Sequence, residues 1–142
     1  MKTPILRQFD FPADYPAVYA LWQGAGAGIG LSLSDQPEEL EKKVQRDPDL
    51  FLVAEVEGEL VGSVIGGFDG RRGMIYHLAV AEAYRRQGLA SQLMAEVEAR
   101  LRQKGCRKAY LLVKQGNDPA LAFYERQGWA GMPTVQLLGK AL

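Results

Sequence analysis

The residues with the clearest chemical meaning form one short segment, the 85–91 loop, which follows an apolar run at 74–80. Apolar residues at helical spacing come next, so a strand leads through the loop into a helix. The N–H groups of a first helical turn lack intrahelical partners, and the helix dipole favours an anion there. A glycine in this loop makes the backbone accessible, and two arginines add forked donors. These features predict a pyrophosphate site; the alternative is an ordinary surface turn. The loop consists of Arg85, Arg86, Gln87, Gly88, Leu89, Ala90 and Ser91.

Periodicity along the rest of the chain predicts the elements that position this loop. We expect strands at 5–9, 50–56, 60–68, 74–80, 109–113, 129–130 and 134–138. We expect helices at 12–23, at 35–46 with Ser34 or Asp35 as the cap, from Leu89 until Gly105 ends it, and at 119–127. The order β-α-α-β-β-β-α-β-α-β-β is typical of a mixed α/β sheet covered by helices.

Composition limits the class of protein. The chain has 142 residues, which fits a single domain over residues 1–142. Its 17 Lys and Arg residues balance 17 Asp and Glu residues, so no basic field favours nucleic acid. The single cysteine, Cys106, excludes an intrachain disulfide and fits a small buried hydrophobe. The chain has no signal-peptide pattern and no long apolar run, so we expect a cytoplasmic protein without a membrane partner.

Four blocks of the chain resemble the GNAT acyltransferase superfamily. Arg85-x-x-Gly88-x-Ala90 resembles its Gln/Arg-x-x-Gly-x-Gly/Ala signature, which cradles the pyrophosphate of acetyl-CoA. Leu78-Ala79-Val80 resembles the bulged fourth strand, and Asn117 resembles the residue that contacts the pantetheine arm. The run from Ala122 to Trp129, with Phe123, Tyr124 and Gly128, resembles the downstream aromatic block. The runs 51–54 and 61–70 look most like the YpeA-like bacterial branch.

The resemblance implies a single-domain GNAT fold with acetyl-CoA as co-substrate and no metal ion. Its sheet is mixed but mostly antiparallel, with six to seven strands, about four helices, and strands 4 and 5 splayed around the pantetheine arm. The implied cofactor-binding residues are Leu78, Ala79, Val80, Arg85, Arg86, Gln87, Gly88, Leu89, Ala90, Ser91, Asn117, Phe123 and Tyr124.

The resemblance also implies roles in catalysis. The N–H of Leu78 would bind the acetyl oxygen as an oxyanion donor, and the N–H of Val80 would bind pantetheine. Tyr124 would be the general acid that protonates the departing thiolate. A core aromatic is the alternative for Tyr124, and a plain helix cap is the alternative for Asn117.

The sequence does not identify the general base that would deprotonate the acceptor amine. Run 74–80 contains no carboxylate, and Tyr76 and His77 stand there instead. Histidine ordinarily titrates near neutral pH, which makes His77 a candidate base. Adjacent strand residues face opposite sides, so we expect at most one of the two side chains in the pocket. A water relay or the acceptor's own ionisation is the alternative that we favour, and Asp69 is a candidate site for a cationic amine.

The remaining acceptor surface would come from the 24–33 loop and the 131–134 turn, with Trp22, Asp69, Tyr76 and His77 as pocket residues. Trp22 also fits a core anchor. The resulting hypothesis is an N-acetyltransferase that moves an acetyl group directly to a primary amine in a ternary complex. The acceptor would be a small molecule, an amino acid or a protein amine, and the enzyme a monomer or homodimer. A non-catalytic acyl-CoA-binding sensor is the alternative.

Overall fold

The computed structural model describes residues 2–25 and 28–142. In this part of the chain, five strands and four α-helices follow the predicted order as far as the fourth helix. They are β1 (Ile5–Gln8), α1 (Tyr15–Gly24), α2 (Pro37–Arg46), β2 (Phe51–Val56), β3 (Glu59–Phe68), β4 (Gly73–Val80), α3 (Leu89–Gln103), β5 (Ala109–Leu111) and α4 (Asp118–Arg126). Short 3-10 turns cover Leu33–Asp35, Pro48–Leu50 and Glu82–Tyr84.

The strands form one sheet in the order β1-β2-β3-β4-β5. The first four strands pair antiparallel, and β5 runs parallel to β4. The prediction of a mixed, mostly antiparallel sheet is therefore confirmed. Pairing between β4 and β5 covers residues 73–75 of β4, which itself continues to Val80. Beyond Ile75, β4 has no residue of β5 to pair with, because β5 ends at Leu111. The splay of strands 4 and 5 stays a prediction.

The predicted strands at 129–130 and 134–138 are wrong, because both segments are irregular. A strand needs a neighbour that pairs with its N–H and C=O groups. The backbone hydrogen bond described at 134–138 is instead a turn contact, from the Val135 N–H to the Met132 oxygen at 3.3 Å. The fifth strand is also shorter than predicted and ends at Leu111. The described sheet therefore has five strands where six or seven were expected.

Contacts along the chain divide it into two units, Met1–Leu112 and Val113–Leu142. The first unit holds the sheet and helices α1 to α3, and the second holds α4. The single domain over residues 1–142 stays a prediction. None of the described helices has both the length and the apolar character that crossing a membrane requires.

Helices of the first unit cover both faces of the sheet. One face carries a buried cluster formed by Phe9, Val18, Trp22, Leu40, Phe51, Val53, Ile65 and Ala79, which includes residues of α1 and α2. Because side chains alternate along β3, Gly66 faces away from Ile65 and toward α3. A Cβ atom built on Gly66 would lie 2.8 Å from Val97 Cγ2 of α3. The absence of a side chain at residue 66 therefore lets α3 approach β3 closely.

We expect Gly66→Ala to lower the free energy of unfolding by about 1–3 kcal/mol, the usual cost of overpacking a core. Urea denaturation of the purified protein measures this. Gly24→Ala is the matched control, because a Cβ atom on Gly24, in α1, meets nothing within 4 Å. It should leave stability unchanged or slightly raised, since alanine favours helix. Equal stability of Gly66→Ala and wild type would contradict the close approach of α3.

Candidate functional site

A bulge in β4 lies at the centre of the site. Ser63 and Ile65 of β3 pair with Ala79 and Tyr76 of β4, so two steps along β3 match three along β4. His77 and Leu78 therefore share the space opposite Val64. The backbone of His77 has φ +53°, the left-handed region, which histidine enters more readily than most residues. The fourth strand is thus bulged beside Leu78.

The direction of the Val80 N–H follows from its neighbour. The Ala81 N–H donates to the Val61 oxygen at 2.8 Å, toward β3. Successive N–H groups of a strand alternate sides, so the Val80 N–H points away from β3. It faces the side on which β5 has already stopped pairing. A donor on this side of β4 is available to something other than the sheet.

The 85–91 loop joins β4 to α3 through two left-handed residues, Arg86 at φ +63° and Gly88 at φ +80°. Gly88 is the N-cap of α3 and has no side chain to accept from the first turn. A Cβ atom on Gly88 would meet nothing within 4 Å, so the protein's own packing does not require glycine there. The Arg85 Nε donates to the Val80 oxygen at 3.0 Å and ties the loop to β4. The strand, the loop and the helix N-terminus are therefore arranged as an anion site needs.

A cavity of about 250 Å³ lies on the α2 side of β4. Two of the predicted pocket residues, Tyr76 and His77, line it together. The expectation that at most one of them faces the pocket is wrong, because the left-handed backbone of His77 breaks the alternation. Of the predicted 24–33 loop, Gly26 and Ala27 lie outside the described residues. The cavity is lined by Gly30, Ser32, Ser34, Asp35, Glu39, Leu40, Lys43, Tyr76 and His77.

Trp22 lies in the core and does not line this cavity, since its side chain is fully buried. Its Nε1 donates to Ser63 Oγ at 2.9 Å, and that hydroxyl donates to the His77 oxygen at 2.9 Å. The Trp22 and His77 rings meet edge to face, with centroids 4.7 Å apart. Trp22 therefore stabilises the bulge through the Ser63 hydroxyl and through its contact with the His77 ring.

Asp69 also lies outside the lining of this cavity. Its Oδ1 accepts from the N–H groups of Arg71 and Arg72, each at 2.7 Å. The hydrogen bonds from Arg72 and Arg71 hold the pKa of Asp69 below its usual range. The carboxylate thus closes the turn before β4.

Sequence reasoning missed Asp35 as a site residue. His77 Nε2 lies 2.8 Å from Asp35 Oδ1, and the side chains are only 14% and 5% exposed. The second oxygen, Oδ2, accepts from the Ser32 N–H at 3.0 Å in a capping box, and Ser32 Oγ accepts from the Ser34 N–H. Ser-x-x-Asp indicates such a box, but nothing in the sequence indicates a partner 42 residues away. The predicted cap role was wrong in detail, since Gln36 is the N-cap of α2.

Tyr76 lies beside this pair, with its ring centroid 5.6 Å from that of His77. Partial burial, then the charges of Asp47 and Asp35, raises the pKa of Tyr76 to about 12. The hydroxyl therefore stays protonated near neutral pH, and the side chain remains 38% exposed.

The second unit carries the remaining predicted residues. Asn117 is the N-cap of α4, and its Oδ1 accepts from the Ala120 N–H at 3.4 Å. The ring of Tyr124 contacts those of Phe123 and Trp129, with centroids 5.3 Å and 6.5 Å away. Burial raises the pKa of Tyr124, so its hydroxyl holds a proton at neutral pH. The cofactor and acid roles of these residues stay predictions.

A metal site has no support in the described part of the chain, where no three His, Cys, Asp or Glu residues group closely enough.

Comparison with known proteins adds a family to this geometry. The family model described as "Acetyltransferase (GNAT) family" matches residues 15–129. An acetyltransferase of Pectobacterium atrosepticum is 41% identical over 142 residues, 100% of this chain and 96% of the relative. One of Sodalis glossinidius is 42% identical over 129 residues, 91% of this chain and 89% of the relative. The PaiA N-acetyltransferase of Thermoplasma acidophilum, solved with coenzyme A, shares the fold with a TM-score of 0.75, 18% identity and 88% coverage of each chain.

These matches confirm the superfamily inferred from the 85–91 loop and the aromatic block, and they confirm acetyl-CoA as the co-substrate at the level of the family. The chain belongs to the GNAT family of acetyltransferases.

Proposed function

We propose that this protein transfers the acetyl group of acetyl-CoA directly to a primary amine while both substrates are bound. One observation carries the proposal: the β4 bulge and the 85–91 loop belong to one strand–loop–helix unit. Donors for an acetyl oxygen and donors for a pyrophosphate therefore sit on the same rigid backbone, ten residues apart along the chain. A thioester donor needs both contacts at once.

The pyrophosphate would bind at the start of α3. A helix of 15 residues places roughly half a positive charge at its N-terminus, and Gly88 leaves that end accessible. Arg85 and Arg86 add full charges, which a doubly charged pyrophosphate needs. The hydrogen bond of Arg85 to Val80 restricts that guanidinium, so less rotamer freedom is lost on binding.

The acetyl carbonyl would be polarised by the Leu78 N–H in the bulge, with the Val80 N–H on the pantetheine arm. One oxyanion donor of this kind contributes about 3 kcal/mol to lowering the barrier. These contacts are made by main chain, so the Leu78 side chain is required only to pack. The tetrahedral intermediate collapses when the C–S bond breaks, and Tyr124 is the proposed donor of a proton to the leaving thiolate.

The acceptor would occupy the cavity around Asp35 and His77. Its lining carries the carboxylates of Asp35 and Glu39 and the ammonium of Lys43. Glu39 pairs with Lys42 at 2.7 Å, and Lys43 pairs with Asp47 at 2.9 Å. Because the charges of Glu39 and Lys43 are both paired, the Asp35 carboxylate beside His77 is the feature that favours a cationic amine as acceptor. The volume of about 250 Å³ fits a small amine or one residue of a protein. A sensor that only binds acyl-CoA needs neither this cavity nor Tyr124, which favours the enzyme.

Gly88→Val should abolish binding of acetyl-CoA, because a branched side chain would stand at the helix N-terminus where the pyrophosphate approaches. Isothermal titration calorimetry measures the affinity. Gly105→Val is the matched control at the other end of α3, with φ +93° and open space around its Cβ position. It carries the same kind of backbone strain and should bind as wild type does. A folded Gly88→Val protein with wild-type affinity would refute the pyrophosphate site.

Tyr124→Phe should lower kcat by about 10²- to 10⁴-fold and leave acetyl-CoA affinity unchanged, since only the acidic hydroxyl is lost. Release of free CoA with a panel of primary amines measures kcat, under conditions where chemistry limits the rate. Tyr19→Phe removes a hydroxyl of α1, outside the cavity lining, and should keep the wild-type rate. An unchanged kcat in Tyr124→Phe would remove the general-acid role.

A further inference from the structure

We propose that Asp35 and His77 act together to take the proton from the acceptor amine, with His77 as the catalytic base and Asp35 as its positioning residue. This inference rests on the proposed acetyl transfer. It assigns the deprotonation of the acceptor amine, a step for which β4 offers no carboxylate. It also replaces the water relay favoured from the sequence with a specific pair of side chains.

The hydrogen bond between the two side chains fixes which ring nitrogen is available. An ionised carboxylate only accepts hydrogen bonds, so Nε2 of His77 must carry the proton that it shares with Asp35 Oδ1 at 2.8 Å. The lone pair of the neutral ring is then on Nδ1. Within the described residues 2–25 and 28–142, the His77 ring forms its hydrogen bond through Nε2. Nδ1 is therefore the atom that would receive a proton.

Asp35 is held in place independently of His77. Its second oxygen accepts the Ser32 N–H at 3.0 Å, and its backbone oxygen accepts the Tyr15 hydroxyl at 2.9 Å. A buried carboxylate is stable only when its oxygens are hydrogen-bonded. The geometry of the pair is thus set by the 3-10 turn and by α1, before any acceptor binds.

The bulge sets the position of the ring. The backbone of His77 is left-handed, and its ring lines the cavity and packs against the Trp22 ring. Ser63 Oγ donates to the carbonyl oxygen of His77 and fixes it. Leu78 is the next residue along the chain. A base on His77 and an oxyanion donor on Leu78 would therefore act on the nitrogen and the carbonyl of one reacting pair.

The protons balance. An acceptor ammonium gives one proton to Nδ1 of His77, and the imidazolium formed is stabilised by the Asp35 carboxylate. The free amine attacks the thioester carbonyl, the C–N bond forms and the C–S bond breaks. The thiolate is protonated by the proposed acid, Tyr124, which recovers a proton from the nitrogen of the forming amide. His77 then releases its proton to solvent.

Other charged and titratable groups lie around the pair. The Tyr76 ring packs against the His77 ring, Glu39 and Lys43 of α2 line the same cavity, and the Tyr15 hydroxyl of α1 donates to the backbone oxygen of Asp35. Of the side chains described, Asp35 is the one hydrogen-bonded to the ring. An acid limb that moves in Asp35→Asn and disappears in His77→Gln is therefore assigned to this pair.

The first experiment observes the ring directly. His77 is the only histidine of the chain, so its two ring nitrogens give unambiguous long-range ¹H–¹⁵N NMR signals in the intact protein. We expect a single Nε2–H tautomer in the neutral ring. In Asp35→Asn both tautomers should be populated, and the titration midpoint should move to lower pH because the imidazolium loses a carboxylate. An Nδ1–H tautomer in wild type, or a titration unchanged by Asp35→Asn, would overturn the proposal.

The second experiment measures rate against pH with a reactive amine. We expect kcat to rise with pH to a plateau in wild type. His77→Gln should lower the plateau by about 10²-fold and remove the acid limb. Asp35→Asn should lower it by about 10-fold and move the limb to lower pH, with acetyl-CoA affinity unchanged in both variants.

Asp14→Asn is the matched control. It removes a carboxylate that is 14% exposed and lies 2.6 Å from Arg7, away from the cavity. It should lower stability without moving the pH profile. If Asp35→Asn does not fold, the tautomer of the wild-type ring and the profile of His77→Gln decide the question without it.

The two failures are distinct. If the wild-type enzyme acetylates amines and His77→Gln keeps the same rate and the same acid limb, the base assignment is overturned and the proposed function stays intact. A wild-type protein that binds acetyl-CoA but acetylates no amine would overturn the proposed function, whatever the ring spectrum shows.

Discussion

The one extra residue that β4 carries opposite β3 determines the geometry of this site. A half-buried strand cannot shift its whole register, because every core side chain would then face solvent, so the extra residue is confined to one bulge. His77 takes the left-handed conformation there, at a cost of about 1–3 kcal/mol. The Ser63 bond to its carbonyl and the Asp35 bond to its ring offset that cost. The strain and the site are therefore two aspects of the same backbone feature.

The core next to the bulge contains one buried hydroxyl that holds the bulge in place. Ser63 is fully buried in β3, and its hydroxyl accepts from Trp22 and donates to the His77 carbonyl. Buried polar atoms are destabilising unless they are hydrogen-bonded, and every such side-chain atom in the described chain has a partner. Helix α1 thus contributes to the site without lining the cavity, because the indole of Trp22 fixes the hydroxyl that fixes the bulge.

Local patterns carried most of what the sequence could predict. Helical spacing predicted α3, the glycine predicted the 85–91 loop, and the apolar run predicted β4. In the structure that glycine, Gly88, has φ +80° and is the N-cap of α3. Predictions that depended on distant partners were not recoverable. The segments at 129–130 and 134–138 have strand-like composition, but a strand also needs a paired edge. Asp35 reads as a local cap, and its contact with His77 depends on how the 3-10 turn folds over the sheet. The alternation rule failed for Tyr76 and His77 because a left-handed residue interrupts it.

The early end of β5 has a consequence for the reaction. Pairing between β4 and β5 stops at residue 75, so no described strand pairs with this edge of β4 from Tyr76 to Val80. Had β5 paired as far as Val80, it would have used the N–H that points away from β3 and filled the gap beside the bulge. A donor bound at the start of α3 could then not reach the face that carries Asp35 and His77. On the proposed function, the early end of the fifth strand is a requirement, because the pantetheine arm would take the position of the missing strand pairs.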